Sequence, residues 1–96
     1  MKFPNSIEEL PGGALVRQGL ADFRAGRLTI PGCLVQIARG RLVYAGLLPR
    51  GDLNVLADPE LQLYRLLRAE RGDAYSRYNA LIRELVSFEQ ALDRVI

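Results

Sequence analysis

Hydrophobic residues recur at helical spacing along much of the chain, with turn-forming residues between the apolar stretches. The first element is a short helical turn, in which Ser6 and Glu9 form a capping box before Pro11. The next stretch, about Gly13 to Ala25, places its apolar residues on one arc and is followed by Gly26. This pattern predicts an amphipathic helix.

The segment from Pro31 to Ala45 has a different pattern. Projected as a helix, it is apolar over most of its girth, which is typical of a central, buried helix, and Thr29 is suited to cap it. The alternative is a β-hairpin at about residues 33–47, because several of these residues have high strand propensity. The strict alternation of a half-buried strand is missing, so the helix is preferred.

Two further helices are predicted in the C-terminal half. Asp58, followed by proline and glutamate, is a strong N-cap for a helix that runs to Arg71. Asp73 caps a last helix of about Ala74 to Val95. Together the elements predict an all-α fold, a compact bundle of four to five helices with a long C-terminal helix, in a single domain over residues 1–96. An α+β fold containing the hairpin is the alternative.

Composition narrows the functional classes. The chain is 49% hydrophobic and 25% charged, as ordinary globular domains are, and it has no apolar run near the roughly 20 residues of a membrane helix. We expect no membrane association, and a cytoplasmic location because the N-terminus lacks the pattern of a signal peptide and the single cysteine suits a reducing compartment. Histidine is absent and Cys33 is alone, which excludes Ser–His and Cys–His pairs. No catalytic, cofactor-binding or metal-binding residue is assigned, and the chain is predicted not to be an enzyme.

The last helix carries an apolar stripe over roughly half of its circumference, wider than the about 100° that one core contact needs. Its ~22 residues would extend about 33 Å, long for a domain with a radius of gyration of about 13 Å. We expect the stripe to meet a second copy of the chain, giving a homodimer. The predicted interface consists of Tyr78, Ile82, Leu85, Glu89 and Leu92.

Other residues indicate ion pairs and a second contact surface. Charges that project into apolar arcs need partners. The hypothesis pairs Arg41 and Arg77 with carboxylates among Glu70, Glu84, Glu89 and Asp93. The helix after Asp58 also has an outer patch, which resembles an interface hot spot and is a candidate contact for another protein; a solvated face is the plain alternative. The patch consists of Leu61, Tyr64, Arg68 and Arg71.

Two functions follow. The first is a small cytoplasmic interaction protein, an accessory or regulatory subunit that self-associates through its C-terminal helix. The alternative is a nucleic-acid-binding regulator, because residues 17–50 contain six arginines and a single acid, Asp22. A GC-rich genome would produce the same arginine excess without a function. The arginines of the alternative are Arg17, Arg24, Arg27 and Arg39.

Overall fold

The computed structural model describes residues 7–51 and 55–95, and in these ranges it consists of a 3₁₀ turn and five α-helices. The turn is Ile7–Glu9, and the helices are α1 (Gly13–Arg24), α2 (Ile30–Ile37), α3 (Arg39–Tyr44), α4 (Pro59–Arg68) and α5 (Ala74–Val95). No strand occurs in the described ranges. The predicted all-α fold with a long C-terminal helix is confirmed, and residues 33–47 do not form the alternative hairpin. Ser6 of the predicted capping box lies outside the described residues.

α2 is the central helix and contacts α1, α3, α4 and α5. Cys33, Leu34 and Val35 have no exposed surface. A helix with so apolar a girth is stable in water only where neighbouring helices surround it. Thr29 caps α2 as predicted, and its Oγ1 accepts a hydrogen bond from the backbone N–H of Gly32 at 3.1 Å.

The single helix predicted from Pro31 to Ala45 is wrong, because the chain breaks at Ala38 into α2 and α3. Ala38 has φ −89° and ψ 12°, outside the α-helical range. The break redirects the chain so that Leu42 is fully buried in the core while Arg41 reaches the C-terminal part of α5. No proline marks this position, and the nearest residue of low helix propensity is Gly40, two residues further on.

α4 also ends earlier than predicted, at Arg68 rather than Arg71. The connection to α5 turns through Gly72, whose φ of 105° favours glycine. Asp73 then caps α5 as predicted, and its Oδ1 accepts hydrogen bonds from two backbone N–H groups of the first turn at 3.0 and 3.3 Å. The short connection makes α4 and α5 an antiparallel hairpin whose helices pack on each other.

α1 and α2 approach each other most closely at Gly19. A Cβ atom at this position would collide with the backbone carbonyl of Pro31 and with the side chain of Val35. The backbones of the two helices therefore lie closer than any side chain at position 19 would allow.

Asp22 is buried where α1 turns into α2, with 4% of its surface exposed. Its carboxylate accepts hydrogen bonds from Thr29 Oγ1 at 2.6 Å, and from Arg27 Nη2 and Gln18 Nε2 at 3.0 Å each. These hydrogen bonds hold the pKa of Asp22 below its ordinary value, and the bond from Thr29 has the largest effect. Since Thr29 also caps α2, one buried carboxylate orders both the turn and the start of the central helix.

We expect Gly19→Ala to lower the free energy of unfolding by about 1–3 kcal/mol, because the added methyl group forces α1 away from α2. The control is Gly40→Ala in α3, where an added Cβ meets no atom within 4 Å. Alanine's higher helix propensity should make this control neutral or stabilising by up to about 1 kcal/mol. Urea unfolding followed by circular dichroism measures both, and equal effects would contradict the close crossing.

We expect Asp22→Asn to destabilise the protein at pH 7, and this effect to depend on pH. Because folding lowers the pKa of Asp22, its charge stabilises the fold above the ordinary aspartate pKa and stops doing so as pH falls through the folded value. The gap in unfolding free energy between wild type and variant should thus narrow below about pH 4. Urea unfolding between pH 7 and 3 measures it, with Glu9→Gln in the exposed 3₁₀ turn as control. If the difference in unfolding free energy between wild type and Asp22→Asn does not change with pH, the charge of Asp22 does not stabilise the fold.

Candidate interaction surface

The wide apolar stripe of α5 is divided between the core and the surface. Leu85, Phe88 and Leu92 are buried by the chain's own helices, with at most 2% of their surface exposed. The predicted interface is therefore corrected at Leu85 and Leu92, because core side chains are not accessible to a second copy. Tyr78, Ile82 and Glu89 of the predicted set are only partly buried.

The outer part of the stripe lies at the surface. Tyr75 is 66% exposed and Val86 41% exposed, and Ile82 between them is half-buried. Their spacing of seven and four residues places them on one face of the helix. All the buried residues of α5 lie from Leu85 onward, so its N-terminal half sits at the edge of the core.

The patch predicted on α4 continues this surface. The rings of Tyr64 and Tyr78 pack edge to face, with centroids 6.0 Å apart. Leu61, which is 42% exposed, and Arg68 lie about one turn on either side of Tyr64. Arg71, predicted in the same patch, is exposed in the connection after α4. Two surfaces that the sequence predicts separately thus form one, here called the hairpin surface: Leu61, Tyr64, Arg68, Tyr75, Tyr78, Ile82 and Val86.

The predicted ion-pair residues join α5 to two neighbouring helices. Arg41 of α3 pairs with Asp93, and Arg77 Nη1 lies 2.6 Å from Glu70 Oε1 in the α4–α5 connection. All four side chains are 40–51% exposed, so each pair contributes at most about 1 kcal/mol. Glu84 has no ion-pair partner among the described residues.

Glu89 lies beside the Arg41–Asp93 pair, at the far end of the hairpin surface. Partial burial raises the pKa of Glu89; Arg41 opposes this change and Asp93 adds to it. The folded chain therefore holds a carboxylate that is less well solvated than in water and only partly compensated by a cation.

The arginines of the nucleic-acid alternative mostly contact the chain itself. Arg27 binds the buried aspartate at the α1–α2 turn, and Arg17 pairs with a glutamate of the 3₁₀ turn at 2.8 Å. Arg24 donates to a backbone carbonyl after α3 at 3.5 Å. Arg39 is partly buried, and its Nε has no hydrogen-bond partner within the described part of the chain. Nucleic-acid binding stays a prediction to which these contacts add no support.

A cleft of about 200 Å³ lies beside α2, lined by Phe23, Arg27, Leu28, Cys33, Gln36 and Leu56, among others. Its polar groups are engaged within the chain: Arg27 binds Asp22, and Gln36 Oε1 accepts the backbone N–H of Leu56 at 3.2 Å. Burial raises the pKa of the Cys33 thiol, which disfavours the reactive thiolate. Among the described residues, the side chains of Arg27 and Gln36 in this cleft are therefore occupied by contacts within the chain.

Three further observations bear on the site. Across residues 7–51 and 55–95, no group of three or more acidic, cysteine or histidine side chains is placed to hold a metal ion. In the same ranges, every helix is too short or too polar to cross a membrane. The chain matches no protein-family model, curated protein or solved structure with which it was compared. The hairpin surface is therefore the feature of the described chain that bears most directly on function.

We expect Glu89→Gln to raise the free energy of unfolding at pH 7, because glutamine removes a poorly solvated charge. With the pKa of Glu89 raised by folding, ionisation opposes folding at neutral pH, and the penalty disappears as pH falls to the ordinary glutamate value of about 4.3. The stability gain of the variant should disappear over the same range. Asp93→Asn, which breaks the pair with Arg41, is the control and should destabilise. Urea unfolding at low protein concentration measures both, and a loss of stability in Glu89→Gln at pH 7 argues against this account.

Proposed function

We propose that the chain is a small cytoplasmic interaction protein, an accessory or regulatory subunit without catalytic activity, that self-associates through the hairpin surface. The observation that carries the proposal is the continuous run of tyrosine and aliphatic side chains along α4 and α5, of which Leu61, Tyr75 and Val86 are 41–66% exposed. Contiguous apolar surface of this kind, bordered by charged residues, is typical of protein interfaces.

The residue types of the hairpin surface favour a protein partner. Tyr64, Tyr75 and Tyr78 offer large contact areas while losing little conformational entropy on binding. Ile82 and Val86 form an aliphatic centre, which the exposed Arg83 borders on one side, and further charged side chains lie towards the two ends. An apolar centre with a polar rim is the usual anatomy of an interface, and tyrosine and arginine are enriched among its strongest contacts.

The dimensions of the hairpin surface also favour this proposal. α5 has 22 residues and extends about 33 Å. A stable dimer of standard size buries about 800 Å² on each partner, and the chain exposes 5967 Å² in total. Roughly one-eighth of the surface is therefore required, and α5 together with the shorter α4, which extends about 15 Å beside it, provides a face of that order.

We expect Val86→Glu to weaken self-association by at least about tenfold, because it places an unpaired charge in the apolar centre of the interface. The matched control is Ala80→Glu, which adds the same charge to α5 at an exposed position away from the hairpin surface. Sedimentation velocity at several protein concentrations measures the dissociation constant of each variant. A wild-type chain that stays monomeric at every concentration, or an equal effect of Ala80→Glu, would overturn the proposal.

A further inference from the structure

The end of the hairpin surface nearest the α4–α5 connection is basic. Arg65, Arg68 and Arg71 are exposed and form no ion pair among the described residues. The neighbouring Glu70 and Arg77 neutralise each other. Asp73, which caps α5 at this end, offsets one of these three charges, so the end carries an excess of two positive charges.

The opposite end of the hairpin surface is acidic. On this face of α5, Glu89 and Asp93 share a single cation, Arg41, which leaves an excess of one negative charge. Arg94, which follows Asp93, projects about 100° away from this face. Between the two ends lie Ile82 and Val86, which carry no charge. The surface is thus basic, then apolar, then acidic along the length of α5.

This order of charges is self-complementary. From it we infer that the partner is a second copy of the chain, bound antiparallel, with Arg68 of each protomer facing Asp93 of the other; the inference rests on the proposed function. One turn along each helix from the Tyr64–Tyr78 contact brings Arg68 alongside Tyr75.

The position of the two-fold axis follows from the same spacing. Tyr75 and Asp93 are separated by about 27 Å of helix, and their midpoint falls between Ile82 and Val86. A two-fold axis there buries Ile82 of one protomer against Val86 of the other and brings each basic end to an acidic end. A parallel pair would instead place Arg68 against Arg68 and Asp93 against Asp93, so that like charges would repel.

The test is a double-mutant cycle on the dimer dissociation constant with Arg68→Ala and Asp93→Asn. Within one chain the two residues lie at opposite ends of the hairpin surface, about 27 Å apart, well beyond the Debye length of about 8 Å at physiological salt. They interact strongly only across an antiparallel interface. We expect each single substitution to raise the dimer dissociation constant about two- to fivefold. The dissociation constant of the double variant should be no higher than that of the more strongly affected single variant.

One control variant and one cancellation within the cycle keep the result interpretable. Arg50→Ala removes an exposed arginine from the loop before α4 and should leave the dissociation constant unchanged. The loss of the Arg41 contact occurs in both arms that contain Asp93→Asn, so it cancels in the cycle. If Asp93→Asn does not fold, Glu89→Gln takes its place at the acidic end.

The outcomes separate this inference from the proposed function. A dimer in which the two substitutions act independently, or in which Arg68→Ala tightens binding, overturns the antiparallel arrangement and leaves self-association intact. A wild-type chain that is monomeric at all concentrations overturns both. Non-additive weakening by Arg68→Ala and Asp93→Asn supports both.

Discussion

The close contact between α1 and α2 is the constraint on which the rest of the fold depends. Gly19 lets the two backbones approach, and the buried carboxylate of Asp22 holds the turn that joins them. A buried carboxylate stabilises a fold only when its hydrogen bonds are made, and here Thr29, Arg27 and Gln18 supply them. Because α2 in turn contacts α3, α4 and α5, its position determines where those helices lie.

Helix length explains why α5 is left partly uncovered. α5 has 22 residues, whereas α2, α3 and α4 have eight, six and ten. At 1.5 Å per residue, even α1, which has 12 residues, is about 18 Å long, little more than half the length of α5. No neighbour is long enough to bury the whole stripe, so Leu85, Phe88 and Leu92 enter the core while Tyr75 and Val86 remain exposed.

Local signals in the sequence predict much of the fold, whereas features that depend on tertiary contacts are not predictable from local sequence. Asp58 and Asp73 are identifiable as caps because a cap acts within one turn of its helix. The break at Ala38 has only a weak local signal, Gly40 two residues later, because a single glycine is also tolerated inside a continuous helix. The role of Asp22 requires groups on both sides of a turn to converge, although its position as the single acid among six arginines was a usable indication. Hydrophobicity alone likewise does not separate the buried Leu85 from the exposed Val86, because both belong to one apolar arc.

Charge then limits what the exposed part of α5 is suited to meet. An apolar face alone is compatible with many partners and orientations, because burial of apolar area is non-directional. The hairpin surface is more restrictive, since Arg68 lies at one end and Asp93 at the other. Asp93 already has Arg41 as a partner, but Glu89 shares that cation and is partly desolvated, so the acidic end remains short of positive charge. Arg68 is the complementary case, an exposed cation without an ion pair among the described residues. A second copy in antiparallel orientation places Arg68 of each protomer near the acidic end of the other, so both charges gain a partner. A parallel copy would place like charges together.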